Sequence, residues 1–380
     1  MKYIKGFFKG LIGLIILLVV LAYTTDYEYI LKGVKVVYMT GHTTAYIDDY
    51  PHFENMKIPA STNTQAWPEH LQYNNVQSTQ SLKDLNDKLG TVAFLIIKND
   101  SIWYENYTSG YGVDSKTNSF SMAKSIVSAL LGKAIQDGYI KNLDQPIGDF
   151  FEKYAHTKTT VGDLSSMASG LDWTEHYTSP FSVTARAYYD DDLAETILNQ
   201  KISEEPGQSF KYLSGSTQLL GMVIEKATGQ KMANYAAQSF WQPMGFEKEA
   251  LWQVDDKEHE LAKAYCCISS NARDFARFGK LYKDYGTWNG TQIIDSSFVA
   301  TSIKPRFKNS PEYGYGFWLS NHLGKDMFVM RGILGQYVIT IPGDDVIIVR
   351  LGHQRAPEIE NSFSTDFYTY VEEAYKMMQP

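Results

Sequence analysis

The clear β-rich runs of this chain stand towards its two ends, and helical spacing fills the long middle. Thr91-Val-Ala-Phe-Leu-Ile-Ile-Lys98 and Ser101-Ile-Trp-Tyr-Glu-Asn-Tyr107 flank Asn99-Asp100, which predicts a hairpin. Met327–Arg331, Gln336–Ile341 and Val346–Leu351 are short β-rich runs broken by glycines and by Pro342-Gly343. Between the two groups, Ala123, Ile126, Val127, Leu130, Leu131, Ala134 and Ile135 keep a helical period that Asp137-Gly138 closes. Gln218–Thr228, ended by Gly229, and Asn271–Tyr285 read the same way. A last helix, about Ser364–Met378, carries Phe367, Tyr370, Val371 and Ala374 on one face. The simplest fold is α+β: a mixed antiparallel sheet built from both chain ends, flanked by helices, with a largely helical subdomain inserted at about 140–285.

At 380 residues there is room for one catalytic-size domain with an insertion, or for two ordinary domains. The content of 44% hydrophobic and 21% charged residues excludes a mainly disordered chain. A net charge of −8, with no basic run beyond the N-terminus, argues against binding nucleic acid. Cys266 and Cys267 are neighbours without a patterned His/Cys set, and read as small buried apolar residues. The eight histidines show no ligand spacing and no glycine-rich phosphate loop occurs, so no metal and no cofactor is expected.

Lys2, Lys5 and Lys9 precede an uncharged apolar stretch from Gly10 to Tyr23, and Asp26 and Glu28 follow. A positive segment before an apolar one reads as an export signal. Tyr3 to Tyr23 reaches a full span if the lysines snorkel. Residues 1–25 are therefore expected to be an uncleaved signal anchor, with the rest of the chain outside the cytoplasm (periplasmic), or a signal peptide cleaved on export. Residues 26–88 are polar, contain Pro51, Pro59 and Pro68, and read as an extended arm or linker ahead of a domain at 89–380.

Ser121-Met122-Ala123-Lys124 opens the first strong helix. Three residues apart, the serine and lysine share a helical face, so the amine can approach the hydroxyl. A desolvated lysine there can act as the base for a serine nucleophile, and free N–H groups at the helix start suit an oxyanion. A lone Ser-x-x-Lys is a weak signal, and its bland reading is an exposed serine beside a solvated lysine.

Two further segments change its weight. Pro206-Gly-Gln-Ser-Phe-Lys-Tyr212-Leu-Ser214-Gly-Ser216 precedes a helix, and Arg331-Gly332-Ile333-Leu334-Gly335-Gln336 follows a β run. With these in order over roughly residues 85–378, the sequence resembles the β-lactamase-related serine hydrolases. That group includes class C β-lactamases, DD-carboxypeptidases, esterases and aminohexanoate-oligomer hydrolases. The resemblance implies Ser121 as the acylated serine, Lys124 as the motif lysine, and Tyr212 as the tyrosine that assists proton transfer. Ser214 takes the place of an asparagine in the Tyr-x-Asn motif and would contact substrate. Met330-Arg331-Gly332 stands where Lys-Thr-Gly or His-x-Gly is expected. Gly332 alone survives, and its missing Cβ would let substrate lie along the strand edge. Ile333 would supply the second backbone N–H of an oxyanion hole beside that of Ser121.

Loss of a cation at Met330 and of an amide at Ser214 argues against efficient penicillin turnover. Ser169-Gly-Leu171 is expected to be structural. Tyr177, six residues on, is the candidate for a tyrosine that closes over substrate in the aminohexanoate-oligomer hydrolases, against the alternative that it packs its loop. The charges of Asn271–Gly279 are expected to fix a helix. The function implied is hydrolysis of a small ester or amide through an acyl-enzyme. The rival is a penicillin-binding-type sensor of little turnover on the same fold.

Overall fold

The computed structural model describes residues 2–359 and 363–379. Helix α1 (Lys2–Thr24) is long and apolar enough to cross a membrane, and no part of its apolar window is buried against the rest of the protein. Within the segment expected to be an extended arm, three regular elements form. They are α2 (Tyr29–Val36), strand β1 (Asn55–Ile58) and α3 (Gln80–Leu89). The arm's helices are short, and their apolar faces are completed by the body, so local period is a poor guide to them. Thr79 caps α3 by accepting from Leu82 N, and Gly90 ends it at φ +57°.

β2 (Thr91–Lys98) and β3 (Ser101–Tyr107) form the expected hairpin. Asn99 and Asp100 both take positive φ, as a two-residue type I′ turn requires. A short β4 (Thr117–Asn118) leads into α4 (Ala123–Gln136). The middle of the chain is helical, with α5 (Val183–Tyr189), α6 (Ser214–Thr228) and α7 (Ala272–Lys283). It also holds β5 (Ala250–Gln253) and β6 (Ile268–Ser270), too short to show a period. At the far end come β7 (Trp318–Ser320), β8 (Met327–Gly332), β9 (Gln336–Ile341), β10 (Val346–Gly352) and α8 (Thr365–Met378).

The large sheet runs β3-β2-β10-β9-β8-β7, antiparallel throughout. The seam between the chain ends lies at β2 and β10, with Val346 opposite Lys98 and Val349 opposite Leu95. Both faces of β2 are buried. Leu95 and Ile97 join a core with α4 and α7, whereas Phe94 and Ile96 join a core with Phe367, Tyr370 and Val371 of α8. Two-sided burial explains why β2 is an unbroken apolar run. A second sheet, β1-β5-β6-β4, ties the arm to the middle of the chain and ends beside Ser121.

Helix α7 is fixed by its polar residues. The Asn271 side chain accepts from Asp274 N at 2.9 Å, and Arg277 Nε donates to Asp274 Oδ1 at 3.0 Å in full burial. Arg273 pairs with Glu105 of β3. Cys266 and Cys267 are buried, as expected of small apolar residues, but they are joined in a disulfide instead of standing as free thiols. A bond between neighbours closes no long loop, so it ties no distant segments.

Candidate active site

Ser121 lies in a single 3-10 turn, Phe120–Met122, ahead of α4, so it precedes the α-helix proper by two residues. The residue before it, Phe120, is buried with φ +44°. Strain at a non-glycine residue persists only where the surroundings hold it. Here Asn118 Oδ1 accepts from Phe120 N at 2.9 Å, and Ser119 exchanges hydrogen bonds with the backbone of Ile268 in β6.

Lys124 follows one turn later with its side chain buried. Its Nζ donates to Ser121 Oγ at 2.9 Å and to the Tyr265 carbonyl at 2.9 Å. Burial pulls its pKa from 10.5 to about 8, against the opposing pull of the Glu175 carboxylate. Much of this amine is therefore neutral near pH 8, with its lone pair available to the serine proton. Tyr212 completes the trio. Its hydroxyl interacts with Ser121, and its ring lies 5.0 Å from Lys124 Nζ. The backbone is placed from the next turn, where Lys211 N donates to Met167 O at 2.7 Å. Burial above all holds the Tyr212 hydroxyl protonated, so it can pass a proton but does not rest as a phenolate.

Glu175 is a residue that sequence reasoning missed. Its carboxylate accepts from the Ser214 backbone N–H, from Ser214 Oγ at 3.2 Å and from the Tyr177 hydroxyl at 2.6 Å. Ser214 opens α6, and an acidic group at a helix N-terminus is favoured there. The structure thus brings Ser214 and Tyr177 together through one carboxylate. A loop glutamate two residues from Tyr177 carries no period to mark it. Its contact with Ser214 joins residues 39 apart in the sequence, so only the fold discloses it.

On β8 the pleat decides what each residue does. Met330 is buried in the core, so position 330 presents nothing to the cleft. Arg331 points the other way, stacks 4.7 Å above Trp318, and shares the Glu358 carboxylate with Arg355. A cation therefore stands one residue along from 330, at the border of the outer cleft and already paired with a carboxylate. Gly332 lines the outer cleft with Ser121, and it has a second reason to lack a Cβ. A Cβ there would sit 2.4 Å from the Ser119 carbonyl oxygen, so the glycine lets β8 close on the turn that carries Ser121. Ile333 follows, lining with Ser121 both parts of the cavity.

Those parts differ in character. An inner cavity of about 70 Å³ is walled by Ala45, Phe120, Tyr188, Tyr189, Tyr265 and Cys266. The outer cleft, about 570 Å³, is bordered by Glu175, Tyr212, Trp318, Arg331, Arg355 and Glu358. Ser121, Tyr177 and Ile333 stand at the junction. Away from it, Asp255, Asp256 and His259 bring ligand atoms within 4.8 Å of one another, a grouping that histidine spacing did not disclose.

The beta-lactamase family profile matches residues 79–363. The chain belongs to the beta-lactamase family. Within it, the 6-aminohexanoate-dimer hydrolase of Paenarthrobacter ureafaciens is 24% identical over 306 residues, 73% of this chain and 77% of that one. A Bacillus anthracis structure provisionally named a 6-aminohexanoate-dimer hydrolase superposes with a TM-score of 0.73. It is 21% identical and covers 93% of each chain. The D-amino acid amidase of Ochrobactrum anthropi, 17% identical, gives a TM-score of 0.59 over 78% of this chain and 95% of its own. These likenesses establish the beta-lactamase fold.

Proposed function

We propose that this beta-lactamase-family protein is a serine hydrolase that cleaves a small ester or amide through an acyl-enzyme on Ser121. The observation that carries the reading is the 2.9 Å contact of Ser121 Oγ with a buried amine whose pKa is lowered to about 8. Lys124 takes the serine proton as Oγ attacks the carbonyl carbon. The N–H groups of Ser121 and Ile333 hold the oxyanion. Tyr212 passes the proton to the leaving alkoxide or amine, and water, activated by the same pair, releases the acid and frees Ser121. Arg331 and Arg355 border the outer cleft, Ser214 borders the inner cavity, and Tyr177, held by Glu175, stands between them. The amidase and aminohexanoate-dimer hydrolase relatives support the choice of substrate class.

In this reading residues 89–380 are one hydrolase domain with its helical insert at about 140–285. Residues 26–88 are an arm that completes the inner cavity through Thr44 and Ala45. Helix α1 is a signal anchor, with the catalytic body outside the cytoplasm. Ser121→Ala should lower kcat on p-nitrophenyl acetate by at least ~10³-fold. Retention of most activity by a folded Ser121→Ala protein would remove the reading.

A further inference from the structure

The loop between Trp173 and α5 carries two exposed rings, Tyr177 and Phe181, the latter 70% accessible. A single exposed phenylalanine is ordinary on a protein surface, and what marks this one is its neighbours. The Phe181 ring packs edge-on against Tyr27 at 5.8 Å, and Tyr27 lies three residues past the end of α1. Arg186 of α5 pairs with Asp26 at 2.7 Å and stacks on Tyr29 at 4.7 Å. The Tyr29 hydroxyl donates to Pro180 O at 2.9 Å, in the same loop as Phe181. The body is thus joined to the end of its apolar helix through a set of short contacts, with no free tether between them.

The same seven-residue helix serves the site. While Arg186 grips the end of α1, Thr184, Ala185, Tyr188 and Tyr189 of α5 line the inner cavity. Three residues of extended chain span at most about 11 Å, so Tyr27 and the ring packed on it stand at headgroup depth when α1 crosses a bilayer. Aromatic side chains are favoured at that depth. Asp190, Asp191 and Asp192 close by disfavour attraction to anionic lipid, which leaves ring insertion as the attraction.

The geometry points to a lipid surface as the partner of the Tyr177–Phe181 loop, and to bilayer-resident amphiphiles as the substrates that reach Ser121. This rests on the anchor and hydrolase readings above. The inner cavity, at about 70 Å³, has room for about two or three water-sized groups. The small end of such an ester or amide enters it, and the long tail stays in the membrane.

The test uses the full chain in phosphatidylcholine vesicles. Phe181→Cys is labelled with an environment-sensitive fluorophore, and Leu71→Cys, fully exposed on the segment along β3, is the control. Native Cys266 and Cys267 are buried and bonded, so they do not take the label. Nitroxide placed near the top of the acyl chains should quench the label at 181 by roughly half or more and spare the one at 71. Equal quenching at both positions, or protein that does not float with the vesicles, overturns the proposal. Phe181→Asp should then lower kcat/KM on a vesicle-embedded ester about tenfold, the scale of one lost buried ring, and leave p-nitrophenyl acetate hydrolysis unchanged. Equal loss on both esters, or no loss on either, overturns delivery from the membrane. Quenching at 181 in a protein that hydrolyses neither ester would sink the hydrolase reading and the substrate class while the lipid contact stood.

Discussion

Lys124 sets the pH range of the site, because its amine serves as a base only when neutral. With its pKa lowered to about 8, kcat/KM on p-nitrophenyl acetate should climb with pH through a limb near 8. The Glu175 carboxylate opposes that lowering, so Glu175→Gln should move the limb to lower pH. A limb that stays in place or moves up would contradict the role given to Glu175. The same residue makes a stability prediction. Lys124 is protonated at pH 7 in folded and unfolded chains alike, and the folded chain carries the full desolvation penalty. From pH 8 to 10.5 the unfolded lysine still holds its proton after the folded one has lost it, so the penalty fades as pH rises. Lys124→Met should therefore abolish activity yet raise Tm at pH 7, with the gap over the wild type narrowing towards pH 10.5. Thermal melts at the two pH values check it. A lower Tm for the variant at pH 7 would mean that the lost contacts to Ser121 and Tyr265 outweigh desolvation.

Single elements separate what could be read from what could not. The β2–β3 hairpin was legible because its turn residues and its apolar runs report on the same local geometry. So were α6, α7 and α8 from their apolar period, with Gly229 marking the end of α6. Strand β8 was only half legible. Its motif position was found, but the cation was sought at Met330, although a period of two puts 330 in the core and Arg331 in the cleft. The packing role of Gly332 was hidden, since its clash partner, the Ser119 carbonyl, is brought close only by the tertiary fold. Gly332→Ala should push β8 off the Ser121 turn and lower kcat by about a hundredfold, the scale of a small misplacement of reacting groups. Near-normal turnover of that variant would show that the turn does not depend on this close approach. In α7, Arg277→Met leaves the buried Asp274 unpaired and should cost about 3–5 kcal/mol in urea unfolding. A cost below ~1 kcal/mol would show that the pair is not what fixes this helix.

Over the whole molecule, residues far apart in sequence share one cavity. Thr44 and Ala45 come from the arm, Ser121 from the start of α4, Tyr188 from the insert, Tyr265 from before β6 and Ile333 from the end of β8. The motif residues could be picked out because each stands at or within a few residues of the end of a regular element. The arm and Glu175 could not, because their contributions exist only once the two sheets and the insert have come together. All of these contacts converge on one hydroxyl, and the account stands on its being an activated nucleophile. The direct measurement is intact-mass spectrometry after exposure to a fluorophosphonate, beside a Ser121→Ala control. One adduct per chain, mapped to Ser121 and absent from the control, is the predicted result. A folded wild-type protein that takes no adduct, or takes it elsewhere, would contradict the account and favour a binding protein on an inherited scaffold.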